Sequence, residues 1–176
     1  MLTFTLKKGA ACTVEIDSVS FDVFPAEAPK EGWALLSHPE EAMKSKQVVS
    51  WPGEYDFAGI SIRAVGQDQG RQVSYSCSME GVKVAFIDTP VLEWADADLE
   101  KVGDVDILVI AADDPKKVTA MVEAVDPRVI ILFSVKGGDL AGVAKACGLA
   151  TVQTVEEYKV KQGALPQDNR QVVVLG

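Results

Sequence analysis

The stretch Pro52-Gly53-Glu54-Tyr55-Asp56-Phe57-Ala58-Gly59-Ile60-Ser61-Ile62 is the most informative part of this 176-residue chain. Pro52-Gly53 predicts a turn, because proline fixes φ and glycine adopts backbone angles that other residues avoid. From Gly59 to Val65 apolar and polar residues alternate, which is typical of a strand with one buried face. We therefore interpret Glu54 and Tyr55 as structural residues of the turn, with the tyrosine ring packed and its hydroxyl hydrogen-bonded.

The sequence before this stretch predicts strands separated by turns. Apolar and polar residues alternate in three segments, which are 2–6, 12–16 and 19–24. Lys8-Gly9 and Asp17-Ser18 supply the turn residues between them. A loop is predicted over 25–32, and the apolar residues from Trp33 to Ser37 predict a short strand.

The sequence after this stretch predicts a hairpin and then alternating strands and helices. Strands over 72–79 and 82–87 flank Glu80-Gly81, which is a strong hairpin signal. Helices with capping residues are predicted at 98–103, 115–125 and 139–147, and buried or final strands at 106–110, 129–133 and 171–175. This order predicts an α/β (α+β) fold in a single domain over 1–176, with helices on the outer faces of a sheet core.

Composition limits the classes of partner. Hydrophobic residues make up 48% and charged residues 24%, which is typical of a globular protein. The net charge of −9 argues against nucleic acid and anionic membrane surfaces as partners. Lys7-Lys8 and Lys116-Lys117 are isolated pairs that we interpret as solvated surface.

Cysteine usage and hydropathy indicate the compartment. Three widely spaced cysteines, Cys12, Cys77 and Cys147, favour free thiols over a disulfide framework. The longest apolar run, 107–112, is too short to span a bilayer, and Lys7-Lys8 stands where a signal peptide would be apolar. We expect a soluble, cytoplasmic protein with no membrane or nucleic-acid partner.

The stretch from Pro52 to Ile62 resembles the PGEYE-x-x-G-hydrophobic segment of the metallo-β-lactamase fold, in its branch of small zinc-dependent hydrolases and lactonase-like proteins. Three weaker matches follow in the family's order, and they cover 21–25, 104–108 and 126–131. The resemblance extends over nearly the whole chain. It implies an αββα sandwich of two mixed sheets flanked by helices, somewhat truncated.

The resemblance also implies a metal loop, which the family writes as HxHxDH. When this motif is aligned with the sequence, His38 stands at the first ligand position and Glu40 at the second. Ala42 takes the aspartate position and Met43 the last. Alanine has no donor atom, and a thioether is a poor zinc ligand.

The other ligand positions of the family are depleted as well. Its next histidine falls near Gln67-Asp68, its bridging aspartate matches Asp88, and its late histidine matches Ser134. Zinc takes about four nitrogen, sulfur or oxygen donors at about 2 Å. One histidine and one aspartate therefore remain of a two-metal site.

Three functions stay open. We favour a non-catalytic protein without metal or cofactor that acts as a binding or oligomeric module, as a homo-oligomer or with a small-molecule or protein ligand. The first alternative is a residual hydrolase of an ester, lactone or phosphoester. It would hold zinc or another divalent cation at His38, Asp88 and a carboxylate, Glu40 or Asp68, with His38 and Asp88 as its catalytic candidates.

The second alternative is a small-anion or phospho-responsive sensor that uses Asp113, Asp114 and Lys136. The competing structural interpretation is that Asp113 and Asp114 cap the helix that begins at Pro115. Glycines 137 and 138 before the next helix are a weak anion signal, because Asp139 would repel phosphate.

Each candidate also has a purely structural interpretation. His38 would be an imidazole at a strand end, and Asp88 would cap a turn before Thr89-Pro90. Glu40-Glu41 would open a helix. Three tryptophans, Trp33, Trp51 and Trp94, would fill the space left by lost metals or form an apolar patch for self-association.

Overall fold

Two β-sheets pack face to face in the computed structural model, which describes residues 1–7, 10–42, 45 and 47–176. The first sheet has the strand order β13-β1-β2-β3-β4-β5. Its strands are β1 (Leu2–Lys7), β2 (Ala10–Ile16), β3 (Val19–Val23), β4 (Trp33–Leu35), β5 (Val48–Val49) and β13 (Glu157–Val160). Pairing is antiparallel from β13 to β3 and parallel from β3 to β5.

The second sheet has the order β12-β14-β11-β10-β9-β8-β7-β6. Its strands are β6 (Gly53–Phe57), β7 (Ile60–Gln67), β8 (Gln72–Met79), β9 (Val82–Ile87), β10 (Ile107–Ala111), β11 (Val129–Phe133), β12 (Thr154–Val155) and β14 (Gln171–Leu175). Pairing is antiparallel from β6 to β9 and parallel from β9 to β12. Every residue of β10 and β11 is buried, as expected for strands covered on both faces.

Three α-helices contact strands of the second sheet, α1 (Asp96–Val102), α2 (Pro115–Val125) and α3 (Leu140–Ala146), as does a short 3₁₀ helix at Asp68–Gly70. This arrangement of two mixed sheets with helices confirms the predicted fold class. No helix in the described part of the chain combines the length and the apolar character needed to cross a bilayer.

The core joins the two sheets through large side chains. The Phe21 ring of the first sheet meets the rings of Phe57 and Phe86 edge-on, at centroid distances of 6.0 and 6.4 Å. The buried Tyr75 hydroxyl lies 2.5 Å from the carbonyl oxygen of Leu36 and 2.9 Å from that of Val49. Tyr75 belongs to β8 of the second sheet, whereas Leu36 follows β4 and Val49 lies in β5 of the first. The hydroxyl therefore makes a polar contact between the two sheets within the apolar core.

The signals carried by turn and cap residues predicted their elements correctly. Glu80 and Gly81 have φ of 48° and 76°, the positive values that a two-residue hairpin turn requires. Asp114 caps α2 by accepting from the N–H groups of Lys116 and Lys117, and Asp139 caps α3 by accepting from that of Gly142.

Other predictions were wrong or incomplete. Glu40 and Glu41, expected to open a helix, are not helical: residues 41 and 42 form bends, and the Glu40 carboxylate accepts from the N–H of Ala42. The segment 53–57, interpreted as a turn, is the edge strand β6, and β12 and β13 were missed. The predicted turn at Lys8-Gly9 lies outside the described residues.

Candidate functional site

One edge of the second sheet gathers the polar residues that follow its parallel strands. Ile87, Ile110 and Leu132 lie in register on β9, β10 and β11, so that these strands end together. Asp88 follows β9, Asp113 follows β10 by two residues, and Ser134 follows β11. We call this region, with Ser37 and His38, the carboxyl edge, because it lies at the carboxyl ends of the parallel strands. Ligands of open α/β sheets bind beyond such strand ends.

Ser37 and His38 reach the carboxyl edge from the first sheet. They follow β4, and the Val73 N–H donates to the carbonyl oxygen of Ser37 at 2.8 Å. This bond holds the end of β4 against the start of β8. The His38 side chain is exposed at this point.

Asp88 is the most constrained group of the carboxyl edge. Burial raises the pKa of its carboxyl group, and the nearby Asp113 adds to that effect. Hydrogen bonds from the Thr89 N–H, at 2.8 Å, and from the Ser37 hydroxyl act in the opposite direction, as does the charge of His38. The carboxylate therefore accepts hydrogen bonds from the protein, as the structural interpretation of a turn cap predicts.

Asp113 also has its hydrogen-bonding partners within the protein. Its carboxylate accepts from the Val91 N–H at 2.9 Å, and its carbonyl oxygen accepts from the Asp139 N–H at 2.9 Å. A Cβ atom on Gly138 would overlap the carbonyl oxygen of Ala112. The loop after β11 thus closes tightly on the end of β10, and only glycine fits at its closest point.

Glu40 and Asp68, the two further metal candidates, are held in local turns. Glu40 accepts from the Ala42 N–H at 3.0 Å, and its own N–H donates to the Ser50 hydroxyl at 3.2 Å. Asp68 is exposed and pairs with Arg71 at 3.0 Å. Neither side chain completes a group of three donors with His38 and Asp88.

The position near the family's second histidine holds a buried amide. Gln67 is only 6% exposed and accepts from the Ser74 hydroxyl at 3.0 Å, while its Nε2 has no hydrogen-bond partner among the described residues. Next to it, the Gln72 amide donates to the carbonyl oxygens of Asp88 and Pro90 at 3.3 and 3.1 Å. Gln72 thus stabilises the backbone of the carboxyl edge, and the buried Gln67 stands near the position where the resemblance places a metal ligand.

The donor set does not fit a two-metal centre. Across residues 1–7, 10–42, 45 and 47–176, no three His, Cys, Asp or Glu side chains lie together as metal ligands would. A zinc site needs about four donors, of which neutral imidazole is the usual nitrogen ligand. Met43, at the last position of the family's loop, lies outside the described residues.

The tryptophans lie in three separate places. Trp33 stacks on Phe57 with a centroid distance of 3.8 Å and an interplanar angle of 7°. Trp51 is 46% exposed, and its indole N–H donates to the carbonyl oxygen of Glu40 at 3.4 Å. Trp94 lines a groove beside α2. Trp51 alone adds substantial exposed apolar surface near the loop that carries His38.

The residues proposed for an anion sensor have structural partners or solvent around them. Asp114 caps α2, Asp113 binds Val91, and Lys136 is exposed. Sequence reasoning did not connect Ser37 or Gln72 with Asp88. Ser37 lies 51 positions before Asp88 and on the other sheet, so no local pattern could connect them.

The Tyr55 hydroxyl is hydrogen-bonded as predicted, although the residue lies in a strand and not in a turn. Its hydroxyl donates to the carbonyl oxygen of Trp51 at 2.9 Å. Its backbone belongs to β6, which pairs with β7.

Comparison with known proteins identifies the architecture. No family model matches the chain, and no curated protein matches it either. A solved structure from Thermotoga maritima, assigned to the Zn-dependent hydrolases of the metallo-β-lactamase superfamily, superposes with a TM-score of 0.73 at 17% identity, covering 100% of both chains.

Two further solved structures agree. A protein from Parabacteroides distasonis assigned as a metal-dependent hydrolase has a TM-score of 0.62 at 14% identity, over 99% of this chain and 92% of its own. The metallo-β-lactamase fold protein YhfI from Bacillus subtilis has a TM-score of 0.60 at 7% identity, over 99% and 96%. The chain therefore has the metallo-β-lactamase fold.

Proposed function

We propose that this chain uses the metallo-β-lactamase fold without the two-metal centre, and acts as a binding or oligomeric protein rather than as a hydrolase. The fold alone does not decide this, because one fold carries many functions. The side chains at the carboxyl edge are what favour it.

The observation that carries the proposal is the shortage of donors around Asp88. Its carboxylate stands where the resemblance places a metal-bridging aspartate, and it accepts from the Thr89 N–H at 2.8 Å. Among the described residues, no two further His, Cys, Asp or Glu side chains form a group of possible metal ligands with it. Since zinc takes about four donors, Asp88 lacks the partners that a metal site needs.

The neighbouring positions add little coordinating power. Ala42 offers no donor, Gln67 offers a neutral amide that is already bonded to Ser74, and Ser134 offers an exposed hydroxyl. Neutral amides and hydroxyls bind zinc far more weakly than imidazole or thiolate does. The supply of strong ligands is therefore limited to His38 and Asp88.

Zinc stoichiometry tests the proposal. The chain is purified with zinc supplied throughout, dialysed against zinc-free buffer, and analysed for metal by mass spectrometry. We expect well below one zinc per chain. A content near two zinc ions per chain would overturn the proposal and favour a metal-dependent hydrolase, the class to which two of the structural neighbours are assigned.

A variant that restores the family's ligands is the matched control. Glu40→His, Ala42→Asp and Met43→His return the loop to HxHxDH, and Ser134→His adds the late histidine. Because this variant regains imidazole donors, it should retain zinc through the same dialysis. Its zinc content shows that the metal supply and the dialysis are adequate for a site of this kind.

A further inference from the structure

A groove of about 350 Å³ lies between α2 and the segment that leads into α1. One wall is formed by the exposed Glu93 and by partly buried apolar residues of that segment and of α1, which are Leu92, Trp94 and Leu99. The opposite wall belongs to α2, and none of the site residues Ser37, His38 and Asp88 takes part. Small-molecule sites commonly measure about 300–1,000 Å³, so the groove suits a small ligand.

The α2 wall is a shelf of small side chains. Lys116, Ala120 and Ala124 follow one another at intervals of four residues, so they share one face of the helix. Both alanines are exposed, and the buried Met121 closes the base. The shelf faces the Trp94 side of the groove, which leaves room for an apolar chain or ring.

Two lysines stand at one end of this shelf without acidic partners. Lys7, Lys83, Lys101 and Lys159 each form an ion pair. Lys116 and Lys117 form none with any carboxylate of the described residues, as is also true of Lys30, Lys136, Lys145 and Lys161, but these two are adjacent and both line the groove. The nearby Asp114 carboxylate accepts instead from the backbone N–H groups of both lysines, at 2.9 and 3.0 Å.

The position of these lysines also opposes the helix dipole. They lie in the first turn of α2, which has no acidic residue, and its last turn has no basic residue. Cations at the amino end of a helix are unfavourable, because that end carries a partial positive charge. Two lysines at this end therefore do not stabilise α2 through its dipole, whereas an anion bound beside them would be favoured by both lysines and dipole.

We propose that this groove binds a small amphipathic anion. The apolar chain or ring of the ligand lies between Trp94 and the alanine shelf, and its carboxylate lies at Lys116 and Lys117. Burial of apolar surface supplies most of the affinity. The two ammonium groups select an anion over a neutral molecule of the same shape.

Methionine-methyl NMR with octanoate tests the proposal. In protein labelled at the methionine methyl groups, Met121 reports on the groove, and Met121→Leu assigns its signal. The core residue Met79, which is 0% exposed, reports on the integrity of the fold in the same spectrum. Octanoate should shift the Met121 signal in a saturable way and leave that of Met79 in place.

The role of charge is tested with a neutral ligand and a matched pair of variants. We expect 1-octanol to bind about fivefold more weakly than octanoate, which corresponds to roughly 1 kcal/mol, the upper part of the range for exposed charges. Lys116→Gln with Lys117→Gln should weaken octanoate by about the same factor and leave 1-octanol unchanged. Lys136→Gln with Lys145→Gln makes the same change in net charge elsewhere, and should bind octanoate as the parent does.

Filling the groove gives an independent test of location. Ala120→Leu places a larger side chain on the exposed shelf, where the fold tolerates it, and should abolish the Met121 shift with both ligands. The proposal is overturned if octanoate leaves the Met121 signal unmoved, if 1-octanol binds equally well, or if the Lys116 and Lys117 variant binds octanoate like the parent. The zinc measurement reports on the carboxyl edge alone. The octanoate experiment can therefore fail while the proposed function stands, and the reverse is also true.

Discussion

The carboxyl edge and the α2 groove come from adjacent stretches of chain, yet their charged groups have opposite surroundings. At the edge, Asp88 accepts from Thr89, and Asp113 accepts from Val91. In the groove, Lys116 and Lys117 have no acidic partner among the described residues. Polar groups that already bind the protein stabilise it, whereas groups without partners remain available to a ligand.

The largest effect is expected at the loop that closes the carboxyl edge. Gly138→Ala places a Cβ against the Ala112 carbonyl oxygen, so the loop or the end of β10 must move. We expect the free energy of unfolding to fall by about 3 kcal/mol, the upper part of the usual range for overpacking. Urea unfolding measures it.

Gly163→Ala is the matched control for this change. Nothing lies within 4 Å of a Cβ at Gly163, so stability should change little. Equal losses in the two variants would show that the carboxyl edge is not tightly packed around Gly138.

A smaller effect is expected from the Asp88 carboxyl group, and it depends on pH. Burial raises its pKa above the ordinary value of 3.8, so the folded chain binds this proton more tightly than the unfolded chain does. The stabilisation from the neutral form is present below pH 3.8 and is lost as the pH rises through the folded-state pKa. Asp88→Asn stays neutral and can still accept from Thr89, so its stability relative to the parent should increase from pH 4 to pH 7.

Urea unfolding at the two pH values measures this difference, with Asp104→Asn as the control. The Asp104 side chain is 96% exposed, so its replacement should alter the pH dependence much less. A gain for Asp88→Asn that is equal at both pH values would show that burial of charge is not its cause.

The smallest effect is expected at the groove. Lys116→Gln with Lys117→Gln removes two cations from the amino end of α2, which should raise the free energy of unfolding by about 0.5 kcal/mol. Thermal unfolding at low salt measures it, and added salt should reduce the gain. A loss of stability would mean that the lysines contribute to the fold, and would weaken the contrast with the carboxyl edge.

Local signals predicted much of the fold. The hairpin at Glu80-Gly81 and the caps Asp114 and Asp139 each depend on a few adjacent residues, whose backbone chemistry leaves little choice. The edge strands β6, β12 and β13 were missed because each is paired on one side only and is largely exposed, so its alternation of apolar residues is weak.

The candidate site was less predictable than the fold. The sequence placed His38 and Asp88 correctly after their strands, but it could not show that Ser37 and His38 lie beside Asp88. It also predicted correctly that Lys116 and Lys117 are solvated. It did not indicate that Trp94 lines the same groove. Both arrangements depend on packing between segments that are far apart in the chain.

The Tyr75 hydroxyl has a consequence for the motion of the whole molecule. With the Val73 N–H, it connects β8 to the backbone at the ends of β4 and β5, beside the loop that carries His38. Separation of the two sheets at this end would have to break these hydrogen bonds within an apolar interior, where a polar group without a partner is costly. Hydrogen exchange at the Val73 amide should accordingly be governed by global unfolding, and slower opening there would keep Ser37 and Asp88 in one rigid frame.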